Sequence, residues 1–369
     1  MRRIFILFSI VLCTTTQWIF AQSTALPTIQ PYATSETVYI NKLSDNGLWV
    51  VASNVDANNS TLDNYPYRFD VTTGKTLSLL SEEEKLSSPN SSAHDVTDDG
   101  CTIVGSYQGK PAICKIKQDG SYQWEYLPLP TSNPDASGHA SAITPDGVYI
   151  VGTLHNSSQN FDGGYEEYPV MWKNGEVVEL PNIPTTRYGH KLTRLLDISA
   201  DGNVIIGGQN LIYPAEVQHF VYYVSEQEAE VIGTDEFFST GSTVTSACIS
   251  TNGEWVGGTA RLITPIEGSQ FPDEQQIPYR YNTRTKEFTP YTTDEHHEAG
   301  ATAIFNNGLI AVASPIENPY RTLMFFINGY YYNLELILSE AYGIDFQSAA
   351  GIDNSGLAVS ISSDGLTMA

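Results

Sequence analysis

Basic residues are scarce in this sequence. The chain has 18 Lys and Arg against 42 Asp and Glu, for a formal net charge of −24. An excess of that size excludes nucleic-acid backbones and anionic membrane surfaces as default partners, because both would be repelled. Long apolar runs are also missing beyond the first 20 residues. No later segment approaches the ~18 residues of a bilayer crossing, so no transmembrane segment is expected. Cysteine is rare too, with 4 in 369 residues, which is no disulfide scaffold. Cys101 and Cys114 fall on neighbouring strands of one predicted hairpin, leaving a cross-strand bridge or buried free thiols open. Cys248, among small apolar residues, reads as core. There is no His-Glu-x-x-His, paired Cys-x-x-Cys, phosphate loop or calcium loop. With those motifs missing, no cofactor, no metal site and no catalytic residue is assigned.

What is present begins with Met1-Arg2-Arg3 and an apolar run from Ile4 to Cys13, followed by a small residue at Ala21. That order reads as a secretory signal over residues 1–21, with 22–369 as the folded domain. A lipid anchor at Cys13 is the weaker reading, since bulky Leu12 precedes it. Loss of Arg2 and Arg3 would leave 16 basic residues against 42 acidic, a formal charge of −26. Location is thus expected to be secreted, periplasmic or on the cell surface.

The chain repeats one phrase: a small or apolar lead-in, Ser/Thr, any residue, Asp/Asn-Gly, then a β-rich run. It reads KLSDNGLWVVAS (42–53), DVTDDGCTIVGS (95–106), AITPDGVYIVGT (142–153) and DISADGNVIIGG (197–208). It returns as CISTNGEWVGGT (248–259), AIFNNGLIAVAS (303–314) and SISSDGLTMA (360–369). The turn glycines, Gly47, Gly100, Gly147, Gly202, Gly253, Gly308 and Gly365, stand 47 to 57 residues apart. Asp-Gly and Asn-Gly supply the positive-φ pair of a tight hairpin turn, and Val, Ile and Trp after it suit a half-buried strand. A second, aromatic hairpin follows each of the first six copies, as in YPYRFDVTTGKTLSLL (65–80) and YPVMWKNGEVVELP (168–181). Four antiparallel strands repeated about seven times predict an all-β protein, a single β-propeller of about seven four-stranded blades. A β-solenoid would need shorter coils, and a string of sandwiches longer units.

The Ser-x-Asp-Gly turn with its apolar strand and Gly resembles the HAF-type repeats of bacterial extracellular proteins. Together with YRFDVTTGKTLSL it is similar to the propeller repeats of the periplasmic TolB type. The resemblance covers about residue 36 to the end and implies a fold far more than a function. The serine-hydrolase domain that accompanies some such propellers would need a Gly-x-Ser-x-Gly elbow, and none is present.

The seventh copy stops four residues after Gly365. Either residues 24–36 supply an outer strand that closes the ring, or the chain is a shortened version of a longer one. Leu334, Ile337, Leu338 and Tyr342 recur at helical spacing, predicting one short helix over 333–342.

Candidate binding residues fall on the connections between blades. Number the strands of a blade A to D outward from the axis. The D-to-A connections then hold His139, His190 and His297, near one mouth of the channel if strand A lines the axis. With His94, they stand 6, 8, 12 and 11 residues before their turn glycines (His94, His139, His190, His297), so they form no level ring. Arg187 and Tyr188 beside His190 make the patch expected to take an anionic or sugar ligand. The B-to-C loops at 54–65, 154–168 and 260–276 are long, and long loops on a rigid scaffold often carry function. Glu166, Glu167, Asp273 and Glu274 are candidates for a glycosidase carboxylate pair. The turn Asp residues recur in too many copies to be catalytic and read as structural.

The leading functional reading is an exported, non-catalytic propeller that binds a carbohydrate or protein partner through one loop face. The alternatives are a polysaccharide-active hydrolase or lyase with carboxylates at the channel mouth, and a structural assembly module.

Overall fold

The computed structural model describes residues 2–7, 29–33, 38–55, 64–87, 90–159, 165–185, 192–210, 217–233, 237–239, 247–264, 273–291, 300–313, 323–327, 330–333 and 367–368, with single residues between 337 and 363. The sequence dictates its hairpins through the repeated phrase. In the second copy Thr97 donates its hydroxyl to Asp99 Oδ1 (2.6 Å), and the same oxygen accepts the Cys101 N–H (2.8 Å). The Thr97 hydroxyl oxygen in turn accepts the Thr102 N–H (3.1 Å). Ser44/Asn46, Thr144/Asp146, Ser199/Asp201 and Ser250/Asn252 repeat the arrangement. The turn is not the two-residue type expected from Asp-Gly. Gly100 alone takes a positive φ (+67°), and its N–H donates to the Thr97 carbonyl (2.9 Å). This is a type I turn, with Asp side-chain bonding inside it and Gly closing it. True two-residue turns with positive φ at both positions occur at Gln108-Gly109 and Asn174-Gly175.

Each phrase builds strands A and B, and each aromatic hairpin builds C and D. The first sheet is β3 (Val38–Leu43), β4 (Trp49–Val55), β5 (Asn64–Asp70) and β6 (Thr76–Ser78). The second is β7 (Ser92–Val96), β8 (Thr102–Tyr107), β9 (Lys110–Ile116) and β10 (Tyr122–Tyr126). The third is β11 (Ser137–Ile143), β12 (Tyr149–Gln159), β13 (Tyr165–Lys173) and β14 (Glu176–Val178). The fourth is β15 (Arg194–Ile198), β16 (Val204–Asn210), β17 (Val217–Tyr223) and β18 (Glu228–Val231). The fifth has β20 (Cys248–Ile249), β21 (Trp255–Thr264), β22 (Asp273–Asn282) and β23 (Phe288–Pro290), with β19 (Phe237–Ser239) paired to the far end of β21. The sixth is β24 (Gly300–Ile304), β25 (Ile310–Ala313), β26 (Leu323–Ile327) and β27 (Tyr330–Asn333). In the seventh, β1 (Arg2–Leu7) lies between β2 (Ile29–Ala33) and β28 (Thr367–Met368). The chain is an all-β propeller of antiparallel sheets.

Of the expected closing strand at 24–36, Ile29–Ala33 pair with Arg2–Leu7 and not with Thr367–Met368. Arg2–Leu7, within the expected leader, occupies the middle of the seventh sheet. Of the predicted 333–342 helix, Ile337, Ser339 and Glu340 are helical; the remaining residues, except Asn333 in β27, lie outside the described ones. A helix that the repeats did not announce, α1 (Glu82–Ser87), starts at a capping box. Glu84 N–H donates to Ser81 Oγ (3.2 Å), and Ser81 N–H donates to the Glu84 carboxylate (2.8 Å). Cys101 is exposed and Cys114 buried, and both are free thiols, so the bridge does not form. Cys248 is only partly buried rather than core.

The core lies between blades, where one sheet's face meets the next. Val51 meets Ile103 and Cys114, Val104 meets Ile150 and Trp172, and Val151 and Met171 meet Leu195 and Tyr222. Aromatic joints recur at alternate junctions. A Cβ on Gly100 would approach Trp49 to 2.3 Å, one on Gly202 would approach Tyr149 to 2.3 Å, and one on Gly308 would approach Trp255 to 2.8 Å. Each ring also carries a cation, Arg68 (4.3 Å), Lys173 (4.9 Å) and Arg280 (5.0 Å). Arg68 also donates to the Gly100 carbonyl (2.6 Å), so one residue ties ring and neighbouring turn together.

Candidate functional site

The strands that open each phrase line the axis, and each described one except the short β20 carries a bulge near its end, for example between Ala93 and Asp95 and between Leu195 and Asp197. The residue after the bulge, five before the turn glycine, is Lys42, Asp95, Ala142, Asp197, Cys248, Ala303 or Ser360 in successive copies. Three of these seven are charged. Lys42 crosses from the first blade to the fourth, with its ammonium 2.9 Å from Asp197 Oδ2. Asp95 and Asp45 share the same small cavity, whose walls also include Ile143, Pro145, Ile249 and Thr251. Its volume is about 20 Å³, room for about one water.

Both buried aspartates hold the blades together. Asp95 accepts the Val96 N–H (2.8 Å) and, from the next blade, the Ile143 N–H (3.0 Å). Asp197 accepts the Ile198 N–H (3.0 Å) and the Ile249 N–H of the fifth blade (3.3 Å). Ser360 does the same at the seam between last and first copies, taking the Leu43 N–H at 2.9 Å. Leaving such a buried N–H unpaired would cost ~1–3 kcal/mol. Burial pushes the Asp95 carboxyl up to about 7 and Asp45 up to about 6, against the pull of Lys42. Burial draws the Lys42 ammonium down, but Asp197 and Asp95 outweigh it and hold it above its ordinary value.

Two of the candidate histidines lie on the axial strands, His94 directly before Asp95 and His139 three residues before Ala142. His139 and His94 sit inside strands A, β11 and β7, rather than in the D-to-A connections. Their rings meet edge to face at 4.9 Å. The His94 Nδ1 bonds the Ala140 carbonyl of the next blade at 2.9 Å, as Asn41 bonds Ala93 in the blade before, so His94 is a blade staple. Burial lowers His139 to about 3, with His94 and Arg194 adding to the effect, and it is neutral at pH 7. Arg187, Tyr188, His190 and His297 lie outside the described residues.

The carboxylates proposed for hydrolysis lie on strands. The loops at 154–168 and 260–276 are in large part extensions of β12–β13 and β21–β22, which place Glu166 and Glu167 on β13 and Asp273 and Glu274 on β22. Glu167 is held by Arg194 through three contacts of 2.6–2.9 Å. Among the described residues no group of three or more His, Cys, Asp or Glu is arranged to hold a metal ion.

One surface was missed from sequence. On β10, Tyr122, Trp124 and Tyr126 alternate along one face, and Tyr107 stacks on Trp124 at 5.5 Å with 10° between ring planes. Tyr107 and Tyr122 donate to Glu84 of α1 (3.3 and 3.1 Å), and Tyr126, 52% exposed, donates to Gln108 (2.9 Å). The Y-x-W-x-Y spacing at 122–126 was the signal for this ledge.

No protein-family model matches the chain, and no curated protein matches it. Solved propellers do. An oligogalacturonate lyase in complex with manganese aligns at TM-score 0.53 and 12% identity, over 81% of this chain and 78% of the other. Hydrazine synthase from Kuenenia stuttgartiensis aligns at 0.52 and 12%, over 89% and 90%. TolB from Acinetobacter baumannii aligns at 0.44 and 14%, covering 80% of this chain, which spans 64% of the TolB chain's length. At such identities the likeness shows the fold alone.

Proposed function

We propose that this protein is an exported, non-catalytic propeller that binds a carbohydrate or protein partner on its surface. One observation carries the reading: the axial cluster is a polar cavity with room for about one water, and its buried carboxylates are engaged by Lys42 and by backbone N–H groups. A sugar ring cannot enter it. Binding then falls to the exterior, either to the loop face with its extended hairpins or to the Tyr107–Trp124–Tyr126 ledge. Partly exposed aromatic side chains beside hydrogen-bonding groups suit both sugars and proteins. Export rests on the N-terminal pattern; no helix among the described residues is long and apolar enough to cross a membrane.

The fold likeness to an oligogalacturonate lyase supports a second reading, action on a polysaccharide. A thermal-shift screen of residues 22–369 against a glycan panel separates the two. A ligand that binds the folded chain raises Tm by linkage. A shift without turnover of the shifting glycan supports binding alone, and turnover overturns the non-catalytic reading. No shift with any glycan removes the carbohydrate and leaves a protein partner.

A further inference from the structure

The ring of turns shows how the propeller closes. The residue two before each turn glycine lies at the same mouth as the axial cluster. Asp98 N–H donates to the Pro145 carbonyl (3.1 Å), Ala200 N–H to Thr251 (2.9 Å) and Ser363 N–H to the Asp45 carbonyl (2.7 Å). Asn46 N–H donates to Asp98 Oδ1 (2.8 Å), Asn252 N–H to Asn306 Oδ1 (2.9 Å), and the Asn306 amide to the Ser363 carbonyl (3.2 Å). Six of the seven junctions are bonded this way. The seventh, from the third blade to the fourth, would need an N–H from Pro145, which has none. The seam between last and first copies is held by Ser363 on Asp45 and by Leu43 on Ser360. Leu43 adjoins the cluster residue Lys42, and Asp45 follows three residues after it.

One ammonium therefore faces three carboxylates in a cavity beside the seam. The groups that face it are Lys42 and Asp45 from the first blade, Asp95 and Asp98 from the second, Asp197 from the fourth, and Cys248 and Thr251 from the fifth. The third, sixth and seventh blades bring Ala142, Ala303 and Ser360 to this level, none of which titrates near neutrality. With Lys42 paired to Asp197 the cavity is neutral only while Asp45 and Asp95 hold protons. Ionising both leaves a net charge of −2 between the first, second and fourth blades.

We propose that this axial cluster is a proton-linked latch on the ring seam: proton uptake by Asp45 and Asp95 fastens the first blade to its neighbours, and proton loss loosens it. The direction agrees with burial raising both carboxyls, and Asp98 beside them. For an acid raised in the folded state, stability is fully present below the unfolded value near 3.8 and is lost as pH climbs to about 7.

Asp95→Asn keeps an oxygen for the Ile143 N–H and removes the charge. The difference in Tm between this variant and the parent, measured from pH 4 to pH 8 in EDTA, should move in favour of the variant by several degrees as pH rises. Asp45→Asn should show the same trend. Hydrogen exchange supplies an independent readout: after correction for intrinsic rate, the Leu43 and Ser363 amides should exchange at least tenfold faster at pH 8 than at pH 5, while the Ile206 amide of the fourth blade does not. A Tm difference that is flat with pH for both variants, or seam amides whose corrected rates ignore pH, overturns the latch. A slope that appears only when a divalent cation is added also overturns it, since a metal rather than a proton would then be the occupant.

Discussion

Gly202→Ala tests the aromatic joints directly. Gly202 has φ +72°, and a Cβ there would lie 2.3 Å from Tyr149 Cδ2, with two further ring atoms inside 2.8 Å. The left-handed backbone costs an L-residue ~1–2 kcal/mol. Displacing a ring packed on this turn and in contact with Lys173 adds ~1–3 kcal/mol of overpacking, so the expected loss is ~2–5 kcal/mol. Gly175→Ala is the control: its φ is +80° and nothing lies within 4 Å, so only the backbone cost of ~1–2 kcal/mol applies. Urea titration followed by tryptophan fluorescence measures both, with the slope required to stay constant. The Tyr149→Ala background provides the coupling. There the Gly202→Ala change should cost no more than Gly175→Ala, giving an interaction energy of ~1–3 kcal/mol. Equal costs for Gly202→Ala and Gly175→Ala in the parent chain would show that the ring and the turn do not form a joint.

Removing residues 1–21 takes out β1 but neither of the two seam bonds at Leu43 and Asp45, so Tm should change by only a few degrees, and a collapse of the fold would argue against export with cleavage. Lys42→Met leaves Asp197 buried without its cation and should destabilise at pH 7 by ~3–5 kcal/mol, with less loss at pH 4; an equal loss at both pH values would show that the pair's charge is not what matters. Tyr126→Ala, on a half-exposed side chain, should change stability by less than ~1 kcal/mol, yet abolish any glycan-induced thermal shift if the ledge is the binding surface. Asp201→Ala breaks the bonds to Ser199 and to the Asn203 N–H and should cost ~1–2 kcal/mol, read by the same urea titration; an activity or binding defect without a stability loss would contradict its structural role.

The fold was legible because its signal repeats. A Ser/Thr-x-Asp/Asn-Gly phrase needs that combination: the hydroxyl, the carboxylate or amide and the αL glycine close one turn together, as Thr97, Asp99 and Gly100 show. The turn type was misjudged because Asp-Gly also occurs in two-residue turns; the Ser/Thr two positions earlier is what selects the longer one. The lengths of β12–β13 and β21–β22 were not legible either. Polar segments such as 156–159 and 273–276 read as loops, yet they belong to β12 and β22, and Gln159 and 273–276 pair with the neighbouring strands. The axial cluster was visible in principle. The first letters of the aligned phrases run Lys, Asp, Ala, Asp, Cys, Ala, Ser. Three charges where the others are small or weakly polar mark a position whose neighbours come from across the axis, which spacing along the chain cannot show.

The same alignment shows where the aromatic positions are interrupted. Two residues after the turn glycine the copies carry Trp49, Thr102, Tyr149, Val204, Trp255, Ile310 and Thr367. Aromatic joints thus alternate with slim ones, such as the Gly253 junction, where Ser199 and Val204 approach a Cβ position to 3.0 and 3.2 Å. Alternation cannot close around an odd number of junctions, so two slim ones must fall side by side. They fall at Ile310 and Thr367, the junctions on either side of the last copy. Polar contacts hold this seam: the Ser360 hydroxyl accepts the Leu43 N–H, and the Ser363 backbone N–H donates to the Asp45 carbonyl. Polar contacts respond to charge where stacked rings do not, which is why the junction beside Lys42, Asp45 and Asp95 is the one whose strength should follow pH.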